Sequence, residues 1–138
     1  MRIVLDTNVI VSGMLNPHGT PGRVVDLFLG GEVTLLVDDR ILAEYRAVLP
    51  RPKFGFDPAD VSDFLDLLET EAERVTSLPL RLALKDEADR PFLEVAIASD
   101  ADFLVTGNAR HFELPSIRQS LVATPAQFLR QWKSAPDR

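Results

Sequence analysis

Acidic and small polar residues recur where apolar segments end in this 138-residue chain. Asp6 closes the run Ile3-Val4-Leu5 and is followed by Thr7 and Asn8, and Thr106-Gly107-Asn108 closes Phe103-Leu104-Val105 in the same manner. Asp86 and Asp89 stand ahead of Arg90-Pro91, and Glu44 borders the apolar stripe of Ile41, Tyr45 and Leu49. Carboxylates that converge on one point repel each other unless a cation joins them, so such a set can hold a metal ion and attract a phosphate through it. Each acid also has a plainer use. Asp6, Asp86 and Asp89 suit helix N-caps, and Glu44 suits a solvated helix flank. Asp100 and Asp102 read as solvated turn acids. The convergence marks a site, rather than any one acid.

Other chemistries find less support. The chain has no cysteine, which excludes disulfides, thiolate zinc sites and cysteine nucleophiles and is compatible with a reducing cytosol. The two histidines, His18 and His111, have no acid–base partner at an obvious spacing. His18 lies in a solvated turn, and His111 beside Arg110 reads as a surface residue, with contact to a nucleic-acid phosphate as the alternative. A net charge of −6 argues against a protein that coats nucleic acid passively. The apolar run before Asp6 is too short for a signal peptide, and no later run approaches the roughly 18–20 residues of a membrane span. The expectation is a cytoplasmic protein with no membrane contact.

The elements that must position these residues alternate in type. Strands are expected at 2–6, 33–37, 103–105 and 121–123. Thr20-Pro21 starts a helix that Gly30-Gly31 stops, Asp38-Asp39 caps another that runs to Leu49, and Asp57-Pro58 starts a third with a buried stripe from Val61 to Val75. Leu93 to Ala98 and Thr124-Pro125 onward, with Phe128, Leu129 and Trp132, read as further helices. Such alternation predicts a parallel sheet covered by helices on both faces, with ligands at the carboxyl ends of its strands. Residues 1–133 are expected to form one domain and 134–138 a flexible tail. At 46% hydrophobic residues it has enough apolar material for a core without cross-links.

With these segments in this order, the chain resembles the PIN-domain family, and within it the toxin components of bacterial toxin–antitoxin systems. The matching pieces are Val4 to Val9, Ile41 to Tyr45, Leu49 to Phe54, and Asp86 to Ala96 leading into Ala101 to Asn108. The resemblance implies a three-layer α/β/α fold on a five-stranded parallel sheet, and cleavage of RNA that depends on Mg²⁺ or Mn²⁺. It assigns Asp6, Glu44 and Asp89 as the metal-binding and catalytic acids. Thr7, Asn8, Asp86, Thr106 and Asn108 would orient ligands or water around them. Many members carry an acid where this chain has Asn108, and some have another where it has Arg110, so one ion on three carboxylates is expected, with Asp86 as partial compensation.

RNA-contact candidates are Arg51, Lys53, Arg90 and Arg110, with Arg23, Arg40 and Arg46 as further cations. Phe54 and Phe56 are either base-stacking residues or core anchors. The resemblance also implies a cognate antitoxin that occludes the acidic cleft. A homodimer through the helices at Val61–Leu68 and Phe128–Trp132 is a further option. Cleavage of DNA in place of RNA stays open, because carboxylate–metal chemistry does not depend on the 2′-hydroxyl, and two rival readings of a different kind remain. One is a PIN fold that has lost catalysis and serves as a binding or regulatory module, for which Asn108 speaks. The other is a phosphotransferase with Asp6 as nucleophile, against which Asn8 speaks.

Overall fold

The computed structural model describes residues 1–135. In chain order these form β1 (Arg2–Leu5), α1 (Thr7–Leu15), α2 (Thr20–Leu29), β2 (Thr34–Val37), α3 (Asp39–Val48), α4 (Pro58–Glu71), β3 (Glu73–Arg74), α5 (Arg90–Ala98), β4 (Phe103–Val105), β5 (Val122–Ala123) and α6 (Pro125–Ser134). The strands pair in parallel in the order β3-β2-β1-β4-β5. Ile3, Val4 and Leu5 are at most 1% exposed, as a continuous apolar run requires when it becomes the middle strand. Helix α5 lies on β1, β2 and β4, while α6 packs on β4 and β5 and against α2, which in turn packs on α1. The result is the three-layer α/β/α arrangement with a five-stranded parallel sheet.

Local chemistry sets the boundaries. Asp38 caps α3 by accepting from Ile41 N at 2.9 Å, and Asp57 caps α4 by accepting from Ala59 N at 2.9 Å. Thr124 and Gln127 form a reciprocal capping box at the start of α6. Each such cap contributes about 1 kcal/mol. Helix α2 gives way to Gly30 and then Gly31, whose φ of 76° lies in the region glycine adopts without strain.

Two expectations about element ends need correction. Helix α4 stops at Glu71, short of Val75, because Glu73 and Arg74 extend to pair with β2 and Val75 N donates to Val37 O at 2.8 Å. The backbone groups on that side of β2 need partners, and a two-residue polar strand has no apolar alternation by which to be read. Ser134, placed in the tail by sequence, belongs to α6, while residues 136–138 lie outside those described. On the helices considered for a dimer, Val61, Phe64, Leu68, Phe128 and Leu129 are buried in the core. Among the described residues, no helix is long and apolar enough to cross a membrane.

From β1 the chain moves to β2 and β3 on one side, then returns to β4 and β5 on the other. Strand order therefore reverses between β1 and β4, and their carboxyl ends flank the crevice where such sheets hold ligands.

Candidate active site

Asp6 stands at the carboxyl end of β1, where its backbone N donates to Val105 O of β4 at 3.0 Å. It occupies the N-cap position of α1 but makes no side-chain cap bond. Its carboxylate instead accepts from the Thr106 hydroxyl at 2.7 Å. The fully buried Thr106 accepts in turn from Asn108 N at 3.0 Å, and Asn8 Oδ1 accepts from Gly107 N at 3.2 Å. The two polar triplets that close β1 and β4 are thus bonded to each other.

Glu44 reaches the same place from α3. The Thr7 hydroxyl donates to Glu44 Oε2, and the hydroxyl of the adjacent, fully buried Tyr45 donates to Leu5 O. These two bonds stitch α3 to the start of α1 and the end of β1, so Glu44 is not a solvated flank residue. Burial, and then the charges of Asp6 and Glu44, hold the Tyr45 hydroxyl well above its ordinary pKa, which keeps it a donor.

Asp89 ends the 3-10 turn Glu87–Asp89 and precedes α5, and it too makes no cap bond. Asp86 serves as the cap by accepting from Ala88 N at 3.0 Å. Asp89, 8% exposed, lies with its Oδ2 2.9 Å from His111 Nδ1. Sequence gave no sign of this contact, because Asp89 and His111 are 22 positions apart and meet only through the fold.

Asp6, Glu44 and Asp89 line one cleft of about 410 Å³, together with Thr7, Asn8, Arg51, Phe54 and Phe92. A larger hollow, of about 610 Å³, has Asp102 as its one lining carboxylate, so size does not identify the site. Burial pushes the Asp6 carboxyl up to about 6; the Thr106 bond opposes this, while the charges of Asp89 and Glu44 add to it. A half-dry cleft in which the charges of two further carboxylates bear on Asp6 favours a bound cation. An all-oxygen donor set suits a hard ion such as Mg²⁺ or Mn²⁺. Among the described residues, the three ligand-bearing side chains whose atoms lie within 4.8 Å of one another are Asp86, Asp89 and His111. That cluster shares only Asp89 with the three acids of the cleft.

The other sequence-chosen residues divide. Arg51 is exposed and lines the cleft, and Lys53 lies 5.2 Å from the centre of the Phe54 ring. Phe54 lines the cleft while Phe56, stacked on it at 5.6 Å, packs against the core. The 3-10 turn Pro52–Phe54 that presents this loop closes on Gly55, whose φ of 67° is left-handed. Asn108 and Arg110 are exposed and do not line the cleft.

Arg90 is committed elsewhere, donating to Leu80 O at 2.8 Å, to Leu82 O at 2.6 Å and to Glu87 at 2.6 Å. Arg40 binds Asp38 and the buried Glu94, and Arg46 pairs with Glu69. Burial of Glu94 disfavours its charge, but bonds from Leu80 N and Arg40 outweigh that and hold its pKa below the ordinary value. Glu94 thereby ties the segment before Asp86 to α3 and α5, a role that sequence did not reveal.

A PIN domain model matches residues 2–110. The chain is 24% identical over 144 aligned residues to the uncharacterized protein MJ1680 of Methanocaldococcus jannaschii, across 96% of this chain and 92% of that protein. It also shares its fold with a chain in the crystal structure of VapBC2 from Rickettsia felis bound to a DNA fragment from their promoter. The TM-score is 0.57 at 21% identity, across 90% of this chain and 98% of that one.

Proposed function

The chain belongs to the PIN-domain family, and from that premise we propose that it is a divalent-metal-dependent endoribonuclease, the toxin of a toxin–antitoxin pair acting in the cytoplasm. The observation that carries this reading is the meeting of Asp6, Glu44 and Asp89, from three separate segments, in one cleft at the reversal of strand order. Asp6, Glu44 and Asp89 would hold Mg²⁺ or Mn²⁺. When bound, such an ion supplies Lewis acidity, which makes a water more nucleophilic and offsets charge on the scissile phosphate.

The chain's own residues do the positioning. Thr106 fixes the Asp6 carboxylate and Thr7 fixes Glu44. Asn8, tied to Gly107, puts a side-chain amide at the edge of the cleft. Arg51 at the rim contacts a substrate phosphate, and Phe54 offers a ring to an unpaired base. Attack by water, rather than by the 2′-hydroxyl, leaves 5′-phosphate and 3′-hydroxyl ends. The sequence resemblance supports RNA as substrate and an antitoxin as partner, and the fold shared with a chain of VapBC2 agrees with the latter.

The test is cleavage of a labelled single-stranded RNA with Mn²⁺, with Mg²⁺ and with EDTA, using the unaltered chain, Asp6→Asn and Asp89→Asn. Metal-dependent cutting that leaves 5′-phosphates and disappears in both variants is the expected result. Cutting that persists in EDTA, or in either variant, would overturn the proposal.

A further inference from the structure

Resting on the metal-dependent reading above, we infer that His111 is a positioning residue for Asp89, setting which carboxylate oxygen is presented to the cation. The 3-10 turn Ala109–Phe112, which follows β4, brings His111 against the residue that precedes α5. Phe112, 3% exposed, anchors that turn in the core, and His111 N donates to Asn108 O at 2.9 Å. The imidazole is therefore delivered by a fixed stretch of backbone, although the ring itself is partly exposed.

Asp89 makes no cap bond to α5 that would orient its carboxylate. His111 Nδ1, 2.9 Å from Oδ2, takes over that task. An ionised carboxylate only accepts, so the Nδ1–H donates and Oδ2 is committed to it, leaving Oδ1 for the cleft. Thr106 does the same for Asp6. The segment that follows β4 thus orients two of the three carboxylates through groups that need not touch the ion. Partners of this kind change metal affinity by about 10–100-fold when removed.

A competing arrangement is visible in the same place. Ligand atoms of Asp86, Asp89 and His111 lie within 4.8 Å of one another, so the imidazole could itself be a nitrogen ligand. Two kinds of variant separate the roles. His111→Asn places an amide N–H where Nδ1 stands, whereas His111→Ala and His111→Gln provide no donor at that point.

The measurement is Mn²⁺ binding to the metal-free full chain, followed by the electron paramagnetic resonance signal of the free ion, with the metal-free melting temperature of each variant read alongside. The expected result is affinity weakened about 10–100-fold in His111→Ala and His111→Gln, and restored in His111→Asn. Unchanged affinity in His111→Ala would overturn this inference alone. Equal loss in all three variants would also overturn it, making the imidazole a ligand. Failure of the unaltered chain to bind Mn²⁺ would overturn the metal-dependent reading together with it.

Discussion

The Thr106 hydroxyl donates to Asp6 Oδ2 at 2.7 Å, joining residues 100 positions apart at the ends of two neighbouring strands. Burial raises the proton affinity of Asp6, and this bond works against it by favouring the ionised form. The same hydroxyl accepts from Asn108 N, so it holds the two strand-closing triplets in place as well as the carboxylate.

Replacing that hydroxyl by a methyl should therefore act on stability and on activity together. Thr106→Val keeps the volume but leaves Asp6 and Asn108 N without their partner, at a cost of about 2 kcal/mol. We expect a lower melting temperature and RNA cleavage reduced more than about tenfold, since an interaction that orients a metal ligand is lost. Thr106→Ser keeps the hydroxyl and should stay close to the unaltered chain in both measurements. Equal activity of the valine and serine variants would show that this bond does not matter to the site.

Asp6 also fixes the sign of a pH effect in the metal-free protein. Its folded-state pKa is raised from 3.8 to about 6, so the folded chain holds a proton that the unfolded chain has released. The stability contributed by this proton is fully present below pH 3.8 and is lost as pH rises through about 6. The loss is on the order of 2–3 kcal/mol by pH 7.5. Asp6→Asn removes the charge while leaving an oxygen for Thr106, so the metal-free variant should melt higher than the unaltered chain at pH 7.5. The difference should shrink toward pH 4. Adding Mn²⁺ should stabilise the unaltered chain and not the variant, and scanning calorimetry reads all three comparisons.

Much of this was legible in the sequence, for identifiable reasons. Ile3-Val4-Leu5 has the continuous apolar pattern expected of a strand buried on both faces, and Asp38, Asp57 and Thr124 announced helix starts through cap chemistry that acts within a few residues. Asp6, Glu44 and Asp89 were singled out by the family resemblance, since local pattern left each of them open as a helix cap or a solvated acid; the fold brings all three to one cleft. What escaped notice depends on contacts with no local signature. His111 meets Asp89 from a turn after β4, Glu94 is buried by an arginine of another helix, and Glu73-Arg74 is a strand only because β2 needs a neighbour. Arg90 looked available to RNA because nothing in a charged residue's type reveals the carbonyls that will claim it.

That difference between two arginines can be tested directly. Arg51 lines the cleft, so Arg51→Ala should raise KM for RNA several-fold, by about the share of one phosphate contact, and reduce the salt dependence of binding. Arg90 holds Leu80 O and Leu82 O, so Arg90→Ala should leave KM for RNA unchanged. It should instead speed limited proteolysis between residues 79 and 86 and lower kcat, because the segment leading to Asp89 loosens. A KM effect from Arg90→Ala equal to that from Arg51→Ala would place both at the RNA.

Asn108 occupies the position where many family members have an acid, which suggests that restoring the acid should strengthen the site. The geometry argues otherwise. Asn108 is exposed and does not line the cleft, and the atom it contributes is its backbone N–H, bonded to Thr106. Asn108→Asp keeps that N–H and adds a charge in solvent, where an isolated carboxylate interacts weakly with a distant ion. We therefore expect Mn²⁺ affinity and cleavage rate to change by less than about threefold, an energy below about 1 kcal/mol. A gain of tenfold or more in both, measured by metal titration and RNA cleavage, would show that the loop carrying Asn108 swings into the cleft when the ion and substrate bind.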